Sequence, residues 1–302
     1  MHLKPNELAG LSEIAISAAQ QAGAMIQSYS HKPITVEHKS GGDSIASQVV
    51  TEVDILSEKI IVEALMPTCK QYDLALLTEE SSDDKARLEK DYFWCVDPMD
   101  GTLAFTESTP GYSVSIALVS KAGMPVIGVV YDPVSDTLYS SVKGQGVLRN
   151  SKVWKPNIKS TGGMPLTLVS DRGFANKPYY ADVCKMLTAI AIESGMPGLQ
   201  TLERNGAVLN ACLVLEHSPA VYIKFPKPEE GGGSLWDFSA TAAIFHELGF
   251  IATDFYGDPL DLNRPSSTFM NHRGVLFTLD PSLANKIKSL LPLSNDNELE
   301  NR

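Results

Sequence analysis

The spacing of apolar residues divides the chain into segments of helical and of strand character. Over residues 6–29 apolar side chains recur every three or four positions, which predicts one buried helix face. Thr51 begins a second helical segment, which we expect to end near Pro67 because a proline inside a helix removes a backbone hydrogen bond. Between Tyr112 and Val147 short β-branched runs alternate with turn residues, which predicts an antiparallel meander. The predicted strands of the meander are 113–119, 126–131 and 137–142.

The second half of the sequence alternates between strand and helix patterns. The predicted strands are 166–169, 220–225, a short one near Leu260, and 275–277. The predicted helices are 179–192, 207–215, 234–248 and 281–290, and Gly249 is expected to end the third of them. A polar segment over 150–165 is the predicted boundary between an N-terminal α+β half, residues 1–160, and a C-terminal α/β half, residues 161–302.

The composition narrows the classes of protein to which the chain can belong. With 43% hydrophobic and 20% charged residues in 302, the chain can form a packed core. A net charge of −11 argues against binding to nucleic-acid polymers or acidic membranes, although a bound cation could still attract a small phosphorylated metabolite. The four cysteines form no CxxC pair, and no apolar stretch approaches the length of a membrane span. We therefore expect a cytoplasmic protein with reduced thiols.

The segment WCVDPMDGTLAF combines an apolar run with two aspartates, Asp97 and Asp100. The apolar run predicts a buried strand, and Pro98 is expected to end it because proline cannot donate to a sheet. Carboxylates at the end of a buried strand need a counter-charge, and Mg²⁺ prefers carboxylate and carbonyl oxygens. The alternative is an ordinary turn, since Asp, Pro and Gly are common turn residues.

Three further acidic positions lie at the ends of predicted elements. Asp54 and Asp237 each occupy the fourth position of an S/T-x-x-D pattern, which also caps helices, and Glu79 follows a short predicted strand with Glu80. Each of them has a simpler interpretation as a helix cap or a solvated loop. Together with the two aspartates of the central segment they supply the roughly four or five carboxylates that a two-metal phosphatase site requires. The hydroxyl of Thr102 could orient the attacking water, and the amides of Gly101 and Thr102 could hold phosphate.

These segments resemble the motifs of the lithium-sensitive, magnesium-dependent superfamily of inositol monophosphatases and 3′(2′),5′-bisphosphate nucleotidases. DPMDGTLAF, residues 97–105, is similar to the family's D-P-x-D-G-T-x-x-F. VTEVD at 50–54, LTEES at 77–81 and SLWDFSA at 234–240 are similar to V-T-x-x-D, G/S-E-E-S and W-D-x-A-A. The resemblance covers about residues 10–280 and is closer to the bacterial nucleotidase branch, but Leu103-Ala104 matches the corresponding residues of neither branch.

The resemblance implies a fold, a cofactor and a role for each residue. The fold would be α/β (α+β), a layered α/β/α/β/α sandwich of the inositol monophosphatase and fructose-1,6-bisphosphatase type. Two or three Mg²⁺ ions would be bound, without a covalent phosphoenzyme, by Glu79, Asp97, the Met99 carbonyl, Asp100 and Asp237. Thr102 with Glu79 or Asp54 would position the water, and Gly101 and Thr102 would hold the phosphate. Members are often dimers, so the resemblance allows a homodimer, although no residues of the sequence identify an interface.

The resemblance also suggests where substrate binds. GAVLNACLV at 206–214 is similar to the family's substrate-facing G-S-x-L-K-x-C-L-V, so Gly206 and Ala207, with Asp100 and Asp237, are candidate substrate contacts. Lys224 in YIKF lies where nucleotidases have Y-P-R-F and inositol phosphatases have a glutamate. A cation suits a second phosphate, whereas a carboxylate accepts hydrogen bonds from ring hydroxyls. Lys224 could instead be a surface residue.

The resulting expectation is hydrolysis of the 3′-phosphate of adenosine 3′,5′-bisphosphate. Inositol 1-phosphate or another sugar phosphate is the alternative substrate, and a metal-dependent phosphate-binding regulator without turnover is the non-enzymatic alternative. A haloacid-dehalogenase phosphatase is rejected, because Pro98 and Met99 between the aspartates would misplace its nucleophile and acid.

Overall fold

The computed structural model describes residues 2–30, 32, 36–38, 49–158, 163–203 and 205–290. Within them the helices are α1 (Pro5–Tyr29), α2 (Glu52–Tyr72), α3 (Thr102–Thr106), α4 (Tyr180–Glu193), α5 (Ala207–Glu216), α6 (Leu235–Leu248) and α7 (Pro281–Ile287). The strands are β1 (Val36–His38), β2 (Val49–Thr51), β3 (Ala75–Thr78), β4 (Tyr92–Asp100), β5 (Ser113–Ser120), β6 (Pro125–Asp132), β7 (Thr137–Val142), β8 (Gly146–Arg149), β9 (Lys152–Val153), β10 (Leu166–Ser170), β11 (Leu199–Glu203), β12 (Ala220–Lys224), β13 (Ile251–Thr253) and β14 (Val275–Thr278). None of these helices is long and apolar enough to cross a membrane. The division after residue 160 lies outside the described residues and stays a prediction.

The first sheet has seven strands in the order β3-β4-β5-β6-β7-β8-β9. β3 and β4 are parallel, and the later neighbours are antiparallel, which confirms the predicted meander. The meander continues into β8 and β9, which the sequence pattern did not predict. Helices α1 and α2 cover one face of this sheet, where Ile26 and Ile61 share a core with Trp94 and Ile116.

The second sheet has five strands in the order β11-β10-β12-β14-β13. β10 is parallel to both of its neighbours, whereas β14 is antiparallel to β12 and β13. Helices α4 and α7 cover its outer face, where Val183 and Leu283 pack in one core with Leu168 and Val221. The periodic apolar positions of these helices are therefore used against this sheet.

Helices α5 and α6 lie between the two sheets. A continuous core joins Phe93 and Ala117 of the first sheet to Val208 of α5, Phe238 of α6 and Tyr222 of the second sheet. Helix α6 also packs along β4, β5, β6 and β7. The layers therefore follow the order α/β/α/β/α, and the predicted sandwich is confirmed.

One helix and one strand were predicted to end at a proline, and both predictions are wrong. Helix α2 continues through Pro67 to Tyr72. Its last turns are fixed by Thr68, whose hydroxyl donates to the Leu65 carbonyl within the helix and accepts from the Trp94 indole of β4. Strand β4 continues through Pro98 to Asp100, because the pairing with β5 shifts there. Proline is tolerated in such a bulge, where no ladder hydrogen bond is required of it.

Four further short strands, β1, β2, β11 and β13, were not predicted, and one predicted strand is absent. β11, with the sequence LQTLE, is an edge strand with three exposed side chains, so its apolar pattern is weak. β13 has only three residues. The predicted strand near Leu260 is wrong, since that segment contributes a single isolated bridge between Thr253 and Pro259.

Candidate active site

The end of β4 places the two central aspartates. Asp97 is paired with Ser115 and Asp100 with Ser113, so the bulge accommodates one more residue on β4 than on β5. The bulge is fixed from both sides, because the Ser57 hydroxyl donates to the Pro98 carbonyl at 2.7 Å and the Met99 amide donates to Asp97 Oδ1 at 3.1 Å. A bulge bends the strand and redirects its side chains. Both carboxylates are buried.

Asp97, Asp100 and Asp237 form a cluster of carboxylates, which we call the acidic cluster. One oxygen from each lies within 4.8 Å of the others, a spacing that could hold a metal ion. Asp237 is fixed by the capping box of α6, since the Ser234 amide donates to its Oδ2 at 2.6 Å. The helix-cap interpretation of Asp237 and its place in the cluster are therefore both correct.

Asp100 connects the acidic cluster to the start of α5. Its Oδ1 accepts from the Ala207 amide at 3.1 Å and its Oδ2 from the Val208 amide at 2.8 Å. Gly206 allows this approach, because a Cβ there would lie 2.3 Å from Asp100 Oδ2. The first amides of α5 are therefore used within the protein to orient Asp100.

Burial and repulsion between the carboxylates raise the pKa values of the acidic cluster. Burial raises the pKa of Asp97 well above its ordinary value, and the neighbouring Glu79, Asp100 and Asp237 raise it further. Burial and Asp237 likewise raise the pKa of Asp100, opposed by the Val208 amide and Lys224. Burial also raises the pKa of Asp237. A divalent cation relieves such repulsion, and hard cations prefer an all-oxygen donor set of this kind.

Glu79 lies beside this cluster. Its carboxyl shares a hydrogen bond with Asp97, and its amide donates to the Val96 carbonyl at 3.2 Å. The following residues are fixed by Glu58, which accepts from the Glu80 amide at 3.0 Å and from the Ser81 hydroxyl at 2.6 Å. Glu58 was not among the predicted site residues. Its position four residues after Asp54 on α2 was the available signal, because such residues share a helix face.

Thr102 and Asp54 form a buried hydrogen-bonded pair. The Thr102 hydroxyl lies 2.9 Å from Asp54 Oδ1 and 3.1 Å from the Met99 carbonyl, so it can donate to either. Asp54 Oδ2 accepts from the amide and the hydroxyl of Thr51 at 2.7 and 2.6 Å. The capping box of α2 thus fixes the carboxylate that Thr102 contacts. Asp54, like Asp237, is a helix cap, and its other carboxylate oxygen contacts Thr102.

Gly101 forms the turn between β4 and α3. Its φ is +87°, and a Cβ at this position would lie 2.4 Å from the Gly111 carbonyl. The same carbonyl accepts from the Gly206 amide at 2.9 Å. The Gly101 turn and the start of α5 therefore meet at one backbone group, which brings the predicted phosphate-binding segment to the predicted substrate-facing helix.

Lys224 is not a surface residue. Its side chain is 14% exposed, its Nζ lies 2.8 Å from Asp171 Oδ2, and the Phe238 ring lies 5.3 Å away. Burial alone would lower the pKa of Lys224, but Asp171, Asp237 and Asp100 together raise it above the ordinary value. Lys224 is therefore a charged ammonium group near the acidic cluster.

Asp171, a partner of the candidate site residue Lys224, was missed by the sequence interpretation. Besides Lys224, it accepts from the Tyr222 hydroxyl at 2.6 Å and from the Asn210 amide group at 3.1 Å, both at Oδ1. Asp171 directly follows β10, just as Asp97 follows the apolar run of β4. An acidic residue after a buried strand was therefore the signal that could have identified it.

Residues 7–289 match the model of a family described as the inositol monophosphatase family. The chain belongs to the inositol monophosphatase family. The chain is 28% identical to CysQ of Escherichia coli (strain K12), a 3′(2′),5′-bisphosphate nucleotidase. The matched region of 263 residues covers 86% of this chain and 96% of CysQ. Nus factor SuhB of Pasteurella multocida is 31% identical over 249 residues, covering 81% of this chain and 85% of SuhB.

The fold of this inositol monophosphatase family member also matches a solved structure. The inositol monophosphatase of Anabaena (Nostoc) superposes with a TM-score of 0.68 at 24% identity, covering 94% of this chain and 96% of that protein. The family comprises metal-dependent phosphatases, so the chain is a phosphoric monoester hydrolase. The acidic cluster is where its residues could hold a metal.

Proposed function

We propose that this phosphatase uses Mg²⁺ to hydrolyse the 3′-phosphate of adenosine 3′,5′-bisphosphate by direct attack of water. Two or three ions would be held by Glu79, Asp97, the Met99 carbonyl, Asp100 and Asp237. The single observation that carries this proposal is the convergence of Asp97, Asp100 and Asp237 within 4.8 Å. When bound, Mg²⁺ would neutralise phosphate charge and lower the pKa of a coordinated water.

Thr102 and Asp54 would orient the attacking water. When the Thr102 hydroxyl donates to Asp54 Oδ1, 2.9 Å away, its lone pairs remain available to accept a hydrogen bond from water. Asp54 is already fixed by Thr51, so the orientation requires little reorganisation. Glu79, beside Asp97, would accept the water proton. The amides of Gly101 and Thr102 would hold the phosphate.

The second phosphate would bind near Lys224. This ammonium group is fixed close to the acidic cluster, and its charge attracts an anionic group better than a hydroxyl. The name of the relative CysQ is consistent with such a substrate. Contacts from Gly206 and Ala207 remain part of the proposal, although the Ala207 amide already donates to Asp100.

Inositol 1-phosphate is the second candidate substrate. The observation in its favour is Asp171, whose carboxylate lies beside Lys224 and is 37% exposed, so it could accept hydrogen bonds from ring hydroxyls. The non-enzymatic alternative is not favoured, because the Thr102–Asp54 pair beside the acidic cluster is intact.

A phosphate-release panel tests the proposal. Adenosine 3′,5′-bisphosphate, inositol 1-phosphate and fructose 1,6-bisphosphate would be compared with Mg²⁺, with Mg²⁺ and lithium, and with EDTA. We expect the highest kcat/KM for the nucleotide and no release in EDTA. A higher value for inositol 1-phosphate would favour the second candidate, and no release from any of the three would contradict the proposal.

A further inference from the structure

Asp171 connects several elements around one largely buried cation, Lys224. Its Oδ1 accepts from Tyr222 on β12 and from Asn210 on α5, and its Oδ2 pairs with Lys224 at the end of β12. The two hydrogen bonds to Oδ1 fix the orientation of the carboxylate. Asp171 Oδ2 is thereby directed at the ammonium group of Lys224, 2.8 Å away.

Lys224 is close to the acidic cluster as well as to Asp171. It packs against Gly233, where a Cβ would come within 3.2 Å of its Nζ, and above the ring of Phe238, the residue after Asp237. Its charge acts on Asp237 and Asp100, whose pKa values it lowers. A buried ammonium group requires a counter-charge, and these carboxylates are the alternatives to Asp171.

We propose that Asp171 is a positioning residue that holds the Lys224 ammonium group away from Asp100 and Asp237, so that these carboxylates remain available to a divalent metal. Without the Asp171 charge, Lys224 would turn towards the acidic cluster and compete with the metal. This inference rests on the proposed metal site and is independent of the choice of substrate.

The test is a double-mutant cycle on Mg²⁺ affinity, measured by titration calorimetry in the absence of substrate. The variants are Asp171→Asn, Lys224→Met and the double variant. Asparagine retains an oxygen for Tyr222 and Asn210 but removes the charge. We expect Asp171→Asn to weaken Mg²⁺ binding by about tenfold when Lys224 is present. In the Lys224→Met background, Asp171→Asn should weaken Mg²⁺ binding by less than about threefold. That smaller loss is the long-range effect of removing the partly exposed Asp171 charge.

Tyr222→Phe is the matched control, because it removes a neutral hydrogen bond to Asp171 and leaves the ion pair with Lys224 in place. We expect its Mg²⁺ affinity to remain within about twofold of the wild-type value. Circular dichroism and thermal melts of every variant would confirm that the fold is retained.

Two results would overturn the inference. Equal losses of Mg²⁺ affinity in both backgrounds would mean that Asp171 acts only through its long-range charge. Unchanged affinity of Asp171→Asn would mean that Lys224 stays in place without it. If the wild-type protein itself bound no Mg²⁺, the proposed metal site would be wrong instead, which separates the two failures.

Discussion

At the scale of single residues, Asp97 combines a proposed role in metal binding with a cost in stability. Its side chain is buried, and its pKa is raised by burial and by Glu79, Asp100 and Asp237. A buried carboxylate among like charges destabilises the protein until a cation binds. Such a residue is retained for chemistry and not for stability.

Asp97→Asn should therefore separate activity from stability. We expect kcat/KM to fall on the order of 100-fold or more, because a proposed metal ligand loses its charge. In EDTA the melting temperature should rise, because one repelling carboxylate is gone. Asp182→Asn is a control on the exposed first turn of α4 and should change activity little. Near-normal activity of Asp97→Asn would contradict the site assignment.

Lys224 is the residue with which to test the substrate. Lys224→Gln removes the charge without placing a second carboxylate beside Asp171, as glutamate would. We expect KM for adenosine 3′,5′-bisphosphate to rise about tenfold to hundredfold, the range for a lost charge-assisted hydrogen bond. Activity on inositol 1-phosphate should change much less. Lys177→Gln, at an exposed position, is the control, and equal losses on both substrates would remove the reason for preferring the nucleotide.

The sequence predicted residues of the acidic cluster more readily than the residues that support them. Asp97, Asp100 and Asp237 occur in short local patterns, and the structure brings them together. The sequence signals for Asp171 and Glu58 are weaker, namely an acidic residue after a buried strand and a position four residues after Asp54, because their partners Lys224 and Ser81 lie 53 and 23 positions away in the sequence. Long-range hydrogen bonds of this kind depend on the tertiary fold.

At the scale of elements, the start of α5 controls the geometry of Asp100. Its first amides hold both carboxylate oxygens, and Gly206 leaves room for them. Sequence patterns predicted the existence of α5 but not this contact. Contacts that local patterns do not reveal also explain why α2 and β4 continue through Pro67 and Pro98. The contacts of Thr68 and the bulge of β4 outweigh the local effect of these prolines.

Gly206→Ala should disturb the site through this helix. The new Cβ would lie 2.3 Å from Asp100 Oδ2, so either α5 or the aspartate must move. We expect kcat to fall and the free energy of unfolding to decrease by about 1–3 kcal/mol, the usual cost of overpacking. Gly10→Ala in α1 is the matched control, since its Cβ would meet nothing within 4 Å. That variant should be slightly more stable by about 0.5–1 kcal/mol, and chemical denaturation with activity assays would measure both.

At the scale of the whole molecule, the site lies where the two sheets share their middle layer of helices. β4 of the first sheet contributes Asp97 and Asp100, whereas α6, in the middle layer, contributes Asp237. Residues far apart in the sequence meet there because α5 and α6 pack against both sheets. The layered order was predicted through the family resemblance, since apolar periodicity alone does not specify which helix lies between the sheets.

The charge of the acidic cluster should make the stability of the whole protein depend jointly on pH and metal. Asp97 and Asp100 have raised pKa values in the folded state. In the unfolded chain their pKa values are about 4. At pH values between the unfolded and the folded pKa values, the native protein therefore binds more protons than the unfolded chain. The free energy of unfolding in EDTA should therefore fall as the pH rises through this window. Mg²⁺ binds the ionised carboxylates, so its stabilising effect should be larger at pH 8 than at pH 5. Thermal melts of the wild type and of Asp97→Asn, with and without Mg²⁺ at both pH values, would measure this effect. The contributions of the other titrating groups are the same in both proteins and cancel in the comparison. A shift on adding Mg²⁺ that is equal at both pH values would contradict metal binding by the carboxylates of the acidic cluster. A shift that is identical in Asp97→Asn would show that Asp97 is not a metal ligand.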